Sequence, residues 1–257
     1  MSLNIDDIRF FKSQGYLIKR GVLDPGLMRR AREAMWEMAP PEFDREDPDT
    51  WIGPFPERED PPNILADYIW KYRACGDEDW IVRLLATDPQ VWGIAEQLLG
   101  VGCLQQPERV RGIYCTFPEG DKPPEPPICH CEGHPFHLAV VGYIDRVDPN
   151  GGGLKIWPGS HRRFYYDFDG RYSTERDERY DRDVDYFDQQ PYVDFHGEAG
   201  DIIFWHHRLA HSGGHNRTRR IRMAVFYDFI KDDLKEKLNL PPAEDMWEDW
   251  SDEVRRA

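Results

Sequence analysis

Ile221-Arg222-Met223-Ala224-Val225-Phe226-Tyr227-Asp228 is the stretch that indicates most about the fold. Successive side chains of a β-strand point to opposite faces, so the apolar residues at every second position from Ile221 share one face. Arg222 lies on the other face. The pattern predicts a strand whose arginine points into the interior of a barrel. An arginine in such an interior needs an anion, either a side chain or a ligand.

Other short segments of the same kind follow one another from about residue 103. They are rich in β-branched and aromatic residues, and turn sequences such as 149–153 and 199–201 separate them. Many short strands with turn signals favour a mainly β sandwich or barrel over a parallel α/β sheet. The predicted strands are 110–117, 138–147, 154–157, 192–195, 201–205 and 221–230.

The N-terminal quarter begins with a helical pattern. Apolar residues recur between charges over 5–13. The short run 15–18, in which Gly15 is followed by three apolar residues, predicts a strand. Asp24 is a suitable N-cap and Pro25 suits a first helical turn, so a second helix is expected to start there. These helices are predicted to support the β core by packing against it.

The next segment combines prolines with acidic residues. Because prolines recur throughout 39–64, this segment is interpreted as an irregular, loop-rich insertion. Residues 63–99 are predicted to be helical again. The last of these helices is expected to open at Asp88-Pro89 and to stop at Gly100.

The chain length of 257 residues suits one large domain. We expect a single domain over 1–257, with helical support and the loop insertion in 1–102, the β core in 103–230 and a C-terminal tail in 231–257. A formal net charge of −15 argues against nucleic-acid binding, since phosphate neutralisation needs surplus Lys and Arg.

The sequence also bears on location. It has no apolar run long enough to span a bilayer, and its N-terminus lacks the basic and then apolar pattern of a signal peptide. We therefore expect a cytoplasmic protein without a membrane partner. The oligomeric state is left open by the sequence.

Histidines are concentrated in one part of the chain. All nine fall between residues 130 and 215, as a localised metal site would allow. His130 and Glu132 are one residue apart, so an imidazole and a carboxylate can turn toward one point. A second histidine group ends at His211. Two histidines and one carboxylate form the facial triad of non-haem iron oxygenases, and we hypothesise that these three residues are that triad.

Other ligand sets remain open at this point. The alternative histidines are His134, His137, His206 and His207. A zinc–thiolate site is a further alternative, because Cys129 and Cys131 flank His130. Structural zinc needs four protein ligands, and no second pair has matching spacing. The odd number of cysteines argues against a disulfide framework, and we expect most of them to be reduced.

Taken in order, these segments resemble the phytanoyl-CoA dioxygenase family of iron(II)- and 2-oxoglutarate-dependent oxygenases. The resemblance rests on the opening 10–25, on the Asn-Gly and Pro-Gly-Ser-His motifs of 150–161, and on the segment 200–222. It implies a double-stranded β-helix, a jelly-roll or cupin-like fold, over 103–230 with N-terminal helices.

The resemblance also implies a reaction and residue roles. By position, His130, Glu132 and His211 correspond to the family's metal ligands, and Arg222 to the residue that clamps 2-oxoglutarate. Ser212 is a candidate second contact to that co-substrate. The implied cofactors are iron(II), 2-oxoglutarate and dioxygen. The implied reaction is the oxidation, usually hydroxylation, of a small-molecule substrate with release of succinate and carbon dioxide.

Four residues are candidates for substrate contacts: Arg111, His134, Trp157 and Arg220. Arg220 is also the alternative clamp, because strand alternation would place it on the same face as Arg222. The arginine- and tyrosine-rich segment 161–191 is either a solvated, ion-paired loop or a lid over the site. Two rival functions remain: an inert β-helix protein that binds a metal or ligand, and a zinc-dependent hydrolase.

Overall fold

Two antiparallel β-sheets form the framework of the computed structural model, which describes residues 2–257. The strands are β1 (Tyr16–Lys19), β2 (Phe55–Asp60), β3 (Asn63–Asp67), β4 (Ile69–Tyr72), β5 (Ile113–Thr116), β6 (Leu138–Tyr143), β7 (Leu154–Ile156), β8 (Val193–Asp194), β9 (Ile202–His206), β10 (His211–Gly213) and β11 (Arg222–Phe229). The larger sheet has the order β1-β9-β6-β11-β5-β4-β3-β2, and the smaller has the order β10-β7-β8. The predicted fold class, mainly β with N-terminal helices in a double-stranded β-helix, is confirmed.

Helices flank the sheets at both ends of the chain. Asn4 caps the first helix through a capping box, and Asp24 accepts a hydrogen bond from Leu27 N at 2.8 Å, as its N-cap position predicts. Asp88 caps the fourth helix in the same way, and Gly100 ends it. The helices are α1 (Ile5–Gln14), α2 (Pro25–Glu37), α3 (Asp79–Leu84), α4 (Pro89–Leu99), α5 (His161–Phe164), α6 (Arg179–Asp188), α7 (Leu234–Lys237) and α8 (Asp252–Arg256).

Strand alternation divides the interior into layers. Ala139, Val141 and Tyr143 of β6 belong to the cluster between the two sheets, together with Trp205 of β9. Their neighbours in sequence point the other way, and Val140 belongs to the core beneath the helices. A third cluster covers the outer side of the smaller sheet. The functional side chains described below lie in the space between the sheets.

The segment 221–228 lies in β11, a central strand of the larger sheet. β11 pairs with β5 on one side and with β6 on the other, and Arg222 lies opposite Thr116. Met223 and Val225 are buried in the helical core, while Ala224 faces the space between the sheets. Arg222 therefore points between the sheets, as predicted.

The interpretation of 39–64 as irregular and of 63–99 as helical was wrong in part. Residues 55–72 form β2, β3 and β4, which extend the larger sheet beyond β5. Prolines and charges, which suggested a loop, are also typical of an edge strand such as β2. In β4, Trp70 and Tyr72 enter the core while Ile69 and Lys71 face the opposite way. The part of the chain before residue 103 therefore contributes strands as well as helices.

The C-terminal segment is not a loose tail. Trp247 and Trp250 pack against Phe11 of α1, with ring centroids 5.9 and 5.3 Å from it. Val254 of α8 is fully buried in the same core. Residues 231–257 therefore close the helical layer. Within residues 2–257, no helix is both long and apolar enough to cross a membrane.

Candidate functional site

An antiparallel bridge brings two of the candidate metal ligands together. His130 N donates to His211 O, and His211 N donates to His130 O, both at 3.0 Å. Because directly opposed residues of such a pair point to the same face, both imidazoles enter the space between the sheets. Their ring centroids lie 4.8 Å apart. The strand pairing thus juxtaposes two histidines that are far apart in the sequence.

Glu132 completes the group. Its Oε1 lies 3.7 Å from His211 Nε2. One ligand atom from each of His130, Glu132 and His211 lies within 4.8 Å of the other two. Two imidazole nitrogens and one carboxylate on the same side of a point are the donor set of a facial iron(II) site. The structure therefore brings together the three residues that the sequence suggested.

The protonation states of His130 and Glu132 suit the binding of a metal cation. His130 is exposed to solvent, yet the protein atoms around its ring and the nearby His211 lower its pKa, so the imidazole is neutral near pH 7. Burial raises the pKa of Glu132, but the adjacent His211 imidazole and the charge of Arg111 outweigh it and hold that pKa well below its usual range. A neutral imidazole and an ionised carboxylate are both ready to bind a metal.

Arg111 links Glu132 to a second carboxylate. Its Nη1 donates to Glu132 Oε1 at 2.8 Å, while its Nε and Nη2 donate to the two oxygens of Asp228 at 2.7 and 2.8 Å. His134 Nε2 lies 3.1 Å from Asp228 Oδ2. A bidentate contact of this kind fixes the orientation of the carboxylate and stabilises its charged form. Arg111 and His134 thus lie at the site, where they hold carboxylates in place.

Arg222 stands apart from these carboxylates. It is buried, and it donates from Nε to Gly152 O at 2.9 Å and from Nη1 to Tyr114 O at 3.1 Å. Within residues 2–257, excluding the side chain of Glu59, it has no ion-pair partner within 4.0 Å. Burial lowers its pKa. A buried guanidinium without a carboxylate is an incomplete arrangement that an anionic ligand would satisfy.

One cavity of about 280 Å³ is lined both by the three candidate metal ligands and by Arg222. Its volume is close to the lower limit of small-molecule sites, roughly 300–1,000 Å³. A second cavity of about 350 Å³ lies next to it and shares the walls formed by Ile69, Lys71, Gly213 and Arg222. The residues around the first cavity are Ile69, Lys71, Arg111, Tyr114, His130, Glu132, Val141, Tyr143, Leu154, Trp205, His211, Gly213, Arg222 and Phe226.

Three predicted contacts lie elsewhere. In β10, His211 faces inward opposite Ile156, so Ser212 faces outward beside Lys155 and its hydroxyl donates to Gly213 O. Trp157 follows the same alternation, since it is buried on the outer side of the smaller sheet.

Arg220 lies before β11 begins, so strand alternation does not extend to it. It is exposed and lies 3.7 Å from Asp148. The structure therefore does not bring Ser212, the predicted co-substrate contact, or Trp157 and Arg220, the predicted substrate contacts, to the cavity wall.

Three of the four alternative ligands lie away from the cavity. His137, His206 and His207, together with His161, form a buried histidine cluster beneath the helices, where His206 stacks on Trp250 at 5.1 Å. The five cysteines are free within the described residues.

Cys131 lies on the outer side of the smaller sheet. Its thiol donates to Arg208 O, and burial raises its pKa to about 12. Since thiolate is the form that binds zinc, this environment disfavours a zinc–thiolate site.

Residues 161–191 pack on the outer side of the smaller sheet, on the side away from the cavity. Tyr180 Oη accepts a hydrogen bond from Cys131 N at 2.9 Å, and Asp188 accepts one from Cys129 N at 2.7 Å. Phe164 and Phe187 pack with these cysteines on the outer side of the smaller sheet. The segment therefore holds the chain on both sides of His130 and does not form a lid over the cavity.

Two residues at the site were not predicted. Asp228 belongs to the quoted strand, but its partner Arg111 lies 117 positions earlier, so no local pattern indicates the pair. Lys71 lies on β4, within the range 63–99 that was predicted to be helical. Its alternation with Trp70 and Tyr72 is the signal that could have revealed it.

The chain resembles known proteins in the part that contains the candidate site. The family model for phytanoyl-CoA dioxygenase (PhyH) matches residues 117–224, a range that contains His130, Glu132, His211 and Arg222. The match shows that this segment is similar to the phytanoyl-CoA dioxygenase family. The family resemblance inferred from the sequence is thereby confirmed.

Curated relatives match over a similar length. The peroxisomal phytanoyl-CoA dioxygenases of Rattus norvegicus and Mus musculus are 30% and 29% identical to this chain over 104 residues. The match covers 39% of this chain and 31% of each relative, so it spans about a third of their length.

Solved structures of similar fold match most of the chain. The non-heme alpha ketoglutarate dependent carbocyclase SnoK from nogalamycin biosynthesis has a TM-score of 0.57 and 21% identity, with coverage of 97% of this chain and 96% of that one. EctD from S. alaskensis with 2-oxoglutarate and 5-hydroxyectoine has a TM-score of 0.57 and 18% identity, covering 89% and 76%. At these identities the likeness concerns the fold.

Proposed function

We propose that this protein is an iron(II)- and 2-oxoglutarate-dependent dioxygenase that oxidises a small molecule, most often by hydroxylation, and releases succinate and carbon dioxide. One observation carries the proposal. The ligand atoms of His130, Glu132 and His211 converge within 4.8 Å, in a cavity that is also lined by the buried Arg222, which has no carboxylate partner among the described side chains. The PhyH family match over the same residues supports it.

The three converging residues fit iron(II). Imidazole and carboxylate ligands in a two-to-one ratio suit this metal and leave positions open for other ligands. The neutral ring of His130 and the ionised Glu132 need no further proton loss. Thiol ligands, which would favour zinc, lie on the other side of the smaller sheet. The donor set therefore favours an oxygenase over a zinc-dependent hydrolase.

Arg222 fits the remote carboxylate of 2-oxoglutarate. Its Nε and Nη1 are held by the carbonyl groups of Gly152 and Tyr114, so the guanidinium plane is fixed before a ligand binds. A planar fork of donors suits a carboxylate better than a lysine does. This pre-organised cation also argues against an inert barrel, because it carries a desolvation cost that only an anion offsets.

Other residues would position the metal ligands and shield the cavity from water. Arg111 and Asp228 fix the carboxylate of Glu132, and Trp205 packs against the ring of His211 at 5.3 Å. Val141, Leu154 and Phe226 form apolar walls that limit access of water. Together, bound iron(II), 2-oxoglutarate and dioxygen would supply the oxidising power for attack on a C–H bond. The protein's contribution is to orient the substrate and to exclude competing water.

Further parts of the proposal follow from the same features. We infer one domain over 1–257, because the first and last segments share the helical core. The partner is a small molecule, and a net charge of −15 disfavours nucleic acid. A cytoplasmic location stays a prediction from the sequence.

The proposal is tested by succinate release. Purified protein incubated in air with iron(II) and 2-oxoglutarate is expected to form succinate slowly even without a substrate. His211→Ala is expected to form none, whereas Arg220→Met, a change at an exposed position, is expected to match the unchanged protein. Succinate formation that needs neither iron nor His211 would contradict the proposed function.

A further inference from the structure

The segment 129–131, which contains the first candidate metal ligand, lies at an edge of the smaller sheet. His130 exchanges both of its backbone hydrogen bonds with His211. Because successive N–H groups of a strand point in opposite directions, those of Cys129 and Cys131 point away from His211. Among residues 2–257, no strand pairs with this outer side of the segment. The backbone on either side of His130 therefore needs acceptors from another part of the chain.

One face of α6 supplies both acceptors. Asp188 Oδ1 accepts a hydrogen bond from Cys129 N at 2.7 Å. Tyr180 Oη accepts one from Cys131 N at 2.9 Å. Tyr180, Val184 and Asp188 are four residues apart along the helix, so they share one face of it. α6 thus covers the edge of the sheet in the place that a further strand would occupy.

The ring of Tyr180 is held in place without help from its hydroxyl group. Tyr180 is buried, and the ring centroids of Phe164 and Phe168 lie 5.3 and 5.5 Å from its own. The guanidinium carbon of Arg176 lies 4.2 Å from the same centroid. Removal of the hydroxyl alone would therefore leave this packing intact and take away only the acceptor for the N–H of Cys131.

Loss of these acceptors would affect the direction of the metal ligands. The N–H of Cys131 belongs to the peptide bond that follows His130, and Glu132 is the next residue. Cys131 is 1% exposed, so this N–H cannot turn to bulk water and the peptide has to shift if its acceptor is lost. A functional site needs its side chains to be held within about 0.5 Å of the productive geometry.

We propose that Tyr180 and Asp188 are positioning residues for the metal ligands. They act through the backbone N–H groups on either side of His130 and so set the directions in which His130 and Glu132 approach the metal. This inference rests on the proposed function for the identity of the ligands.

The test is a calorimetric titration of iron(II), without oxygen, into the protein, together with denaturant unfolding of the metal-free form. Tyr180→Phe is expected to bind iron(II) about tenfold more weakly, as is typical when a partner of a metal ligand is lost. Asp188→Leu should show a similar loss. Asp188→Asn keeps an acceptor oxygen and should match the unchanged protein. Tyr186→Phe, which removes an exposed hydroxyl group of the same helix, is the matched control.

A change in ligand geometry also has a spectroscopic signature that a loss of stability lacks. With iron(II) and 2-oxoglutarate both saturating, the absorption maximum of the charge-transfer band should shift in Tyr180→Phe and in Asp188→Leu. It should stay in place in Asp188→Asn and in Tyr186→Phe.

The outcomes separate this inference from the proposed function. Unchanged iron affinity in Tyr180→Phe or in Asp188→Leu would overturn the assignment of that residue, even if the free energy of unfolding falls, because the contact would then support only the fold. An equal loss in Asp188→Asn and Asp188→Leu would overturn the assignment of Asp188, by making its negative charge the cause.

Failure of the unchanged protein to bind iron(II) would instead contradict the proposed function. The same titrations with zinc(II), which imidazole and carboxylate groups also bind, would then test the positioning alone. Equal zinc affinities of the unchanged protein and Tyr180→Phe would overturn it.

Discussion

Replacing Arg222 by methionine is the substitution that most clearly separates co-substrate binding from folding. The guanidinium would make two charge-assisted hydrogen bonds to a carboxylate, each contributing about 1.5–3 kcal/mol. Loss of both corresponds to at least about a hundredfold weaker binding of 2-oxoglutarate, since 1.4 kcal/mol is a factor of ten. Arg222→Lys keeps the positive charge but lacks the planar fork of donors. Its affinity for 2-oxoglutarate should therefore lie between that of the unchanged protein and that of Arg222→Met.

The effect of this substitution on stability should be small, because two terms oppose each other. The carbonyl groups of Gly152 and Tyr114 lose a donor, which costs about 1–3 kcal/mol for each group left buried without a partner. Removal of a buried, unpaired cation offsets this cost. The apparent melting temperature should therefore change little, although 2-oxoglutarate no longer binds.

The assay is a titration of 2-oxoglutarate into protein loaded with iron(II) in the absence of oxygen. Arg220→Met is the matched control, because this arginine is exposed and lies 3.7 Å from Asp148 at the surface. Unchanged affinity in Arg222→Met would refute the reasoning. So would a large loss in Arg220→Met, which would make Arg220 the clamp in spite of its position.

Three further predictions concern the metal, the pH dependence and the fold. His211→Ala should bind iron(II) at least about tenfold more weakly by calorimetry, and unchanged metal affinity would move the ligand elsewhere. The buried histidine cluster should destabilise the protein in acid, because burial holds the pKa of its members below that of unfolded histidine, to about 3 for His137 and His161. The unfolded chain takes up protons below about pH 6.5 and the folded chain does not, so denaturant unfolding from pH 7.5 to 5.5 should show a loss of about 1.4 kcal/mol per clustered histidine; an unchanged free energy of unfolding would contradict this. Gly153→Ala should cost at least about 1–3 kcal/mol, because its Cβ would lie 2.0 Å from Phe195 O, whereas Gly93→Ala, with open space, should not destabilise the fold.

The strands of the β core could be predicted because their signal is local. Alternation in 221–228 and the continuous apolar run that opens 138–147 both indicate strands, and β11 and β6 lie within those ranges. The edge strands β2–β4 were missed for a physical reason. An edge strand tolerates proline and needs charged residues, so its sequence resembles that of a loop.

The metal-ligand candidates could be identified because His130 and Glu132 lie one residue apart and all nine histidines fall between residues 130 and 215. Their supports were not predictable, since Arg111 and Asp228 meet only through tertiary folding. Ser212 and Trp157 were misplaced because one residue of offset along a strand moves a side chain to the other face. His211 faces inward, so its neighbour Ser212 cannot.

The central claim is that one cavity holds iron(II) and 2-oxoglutarate together. Its most direct test is absorption spectroscopy without oxygen, with iron(II) and 2-oxoglutarate added first singly and then together. We predict a metal-to-ligand charge-transfer band only when both are present, with its intensity saturating at one equivalent of each, and no band in His211→Ala. No band on addition of both to the unchanged protein, or an equally intense band in His211→Ala, would contradict the account.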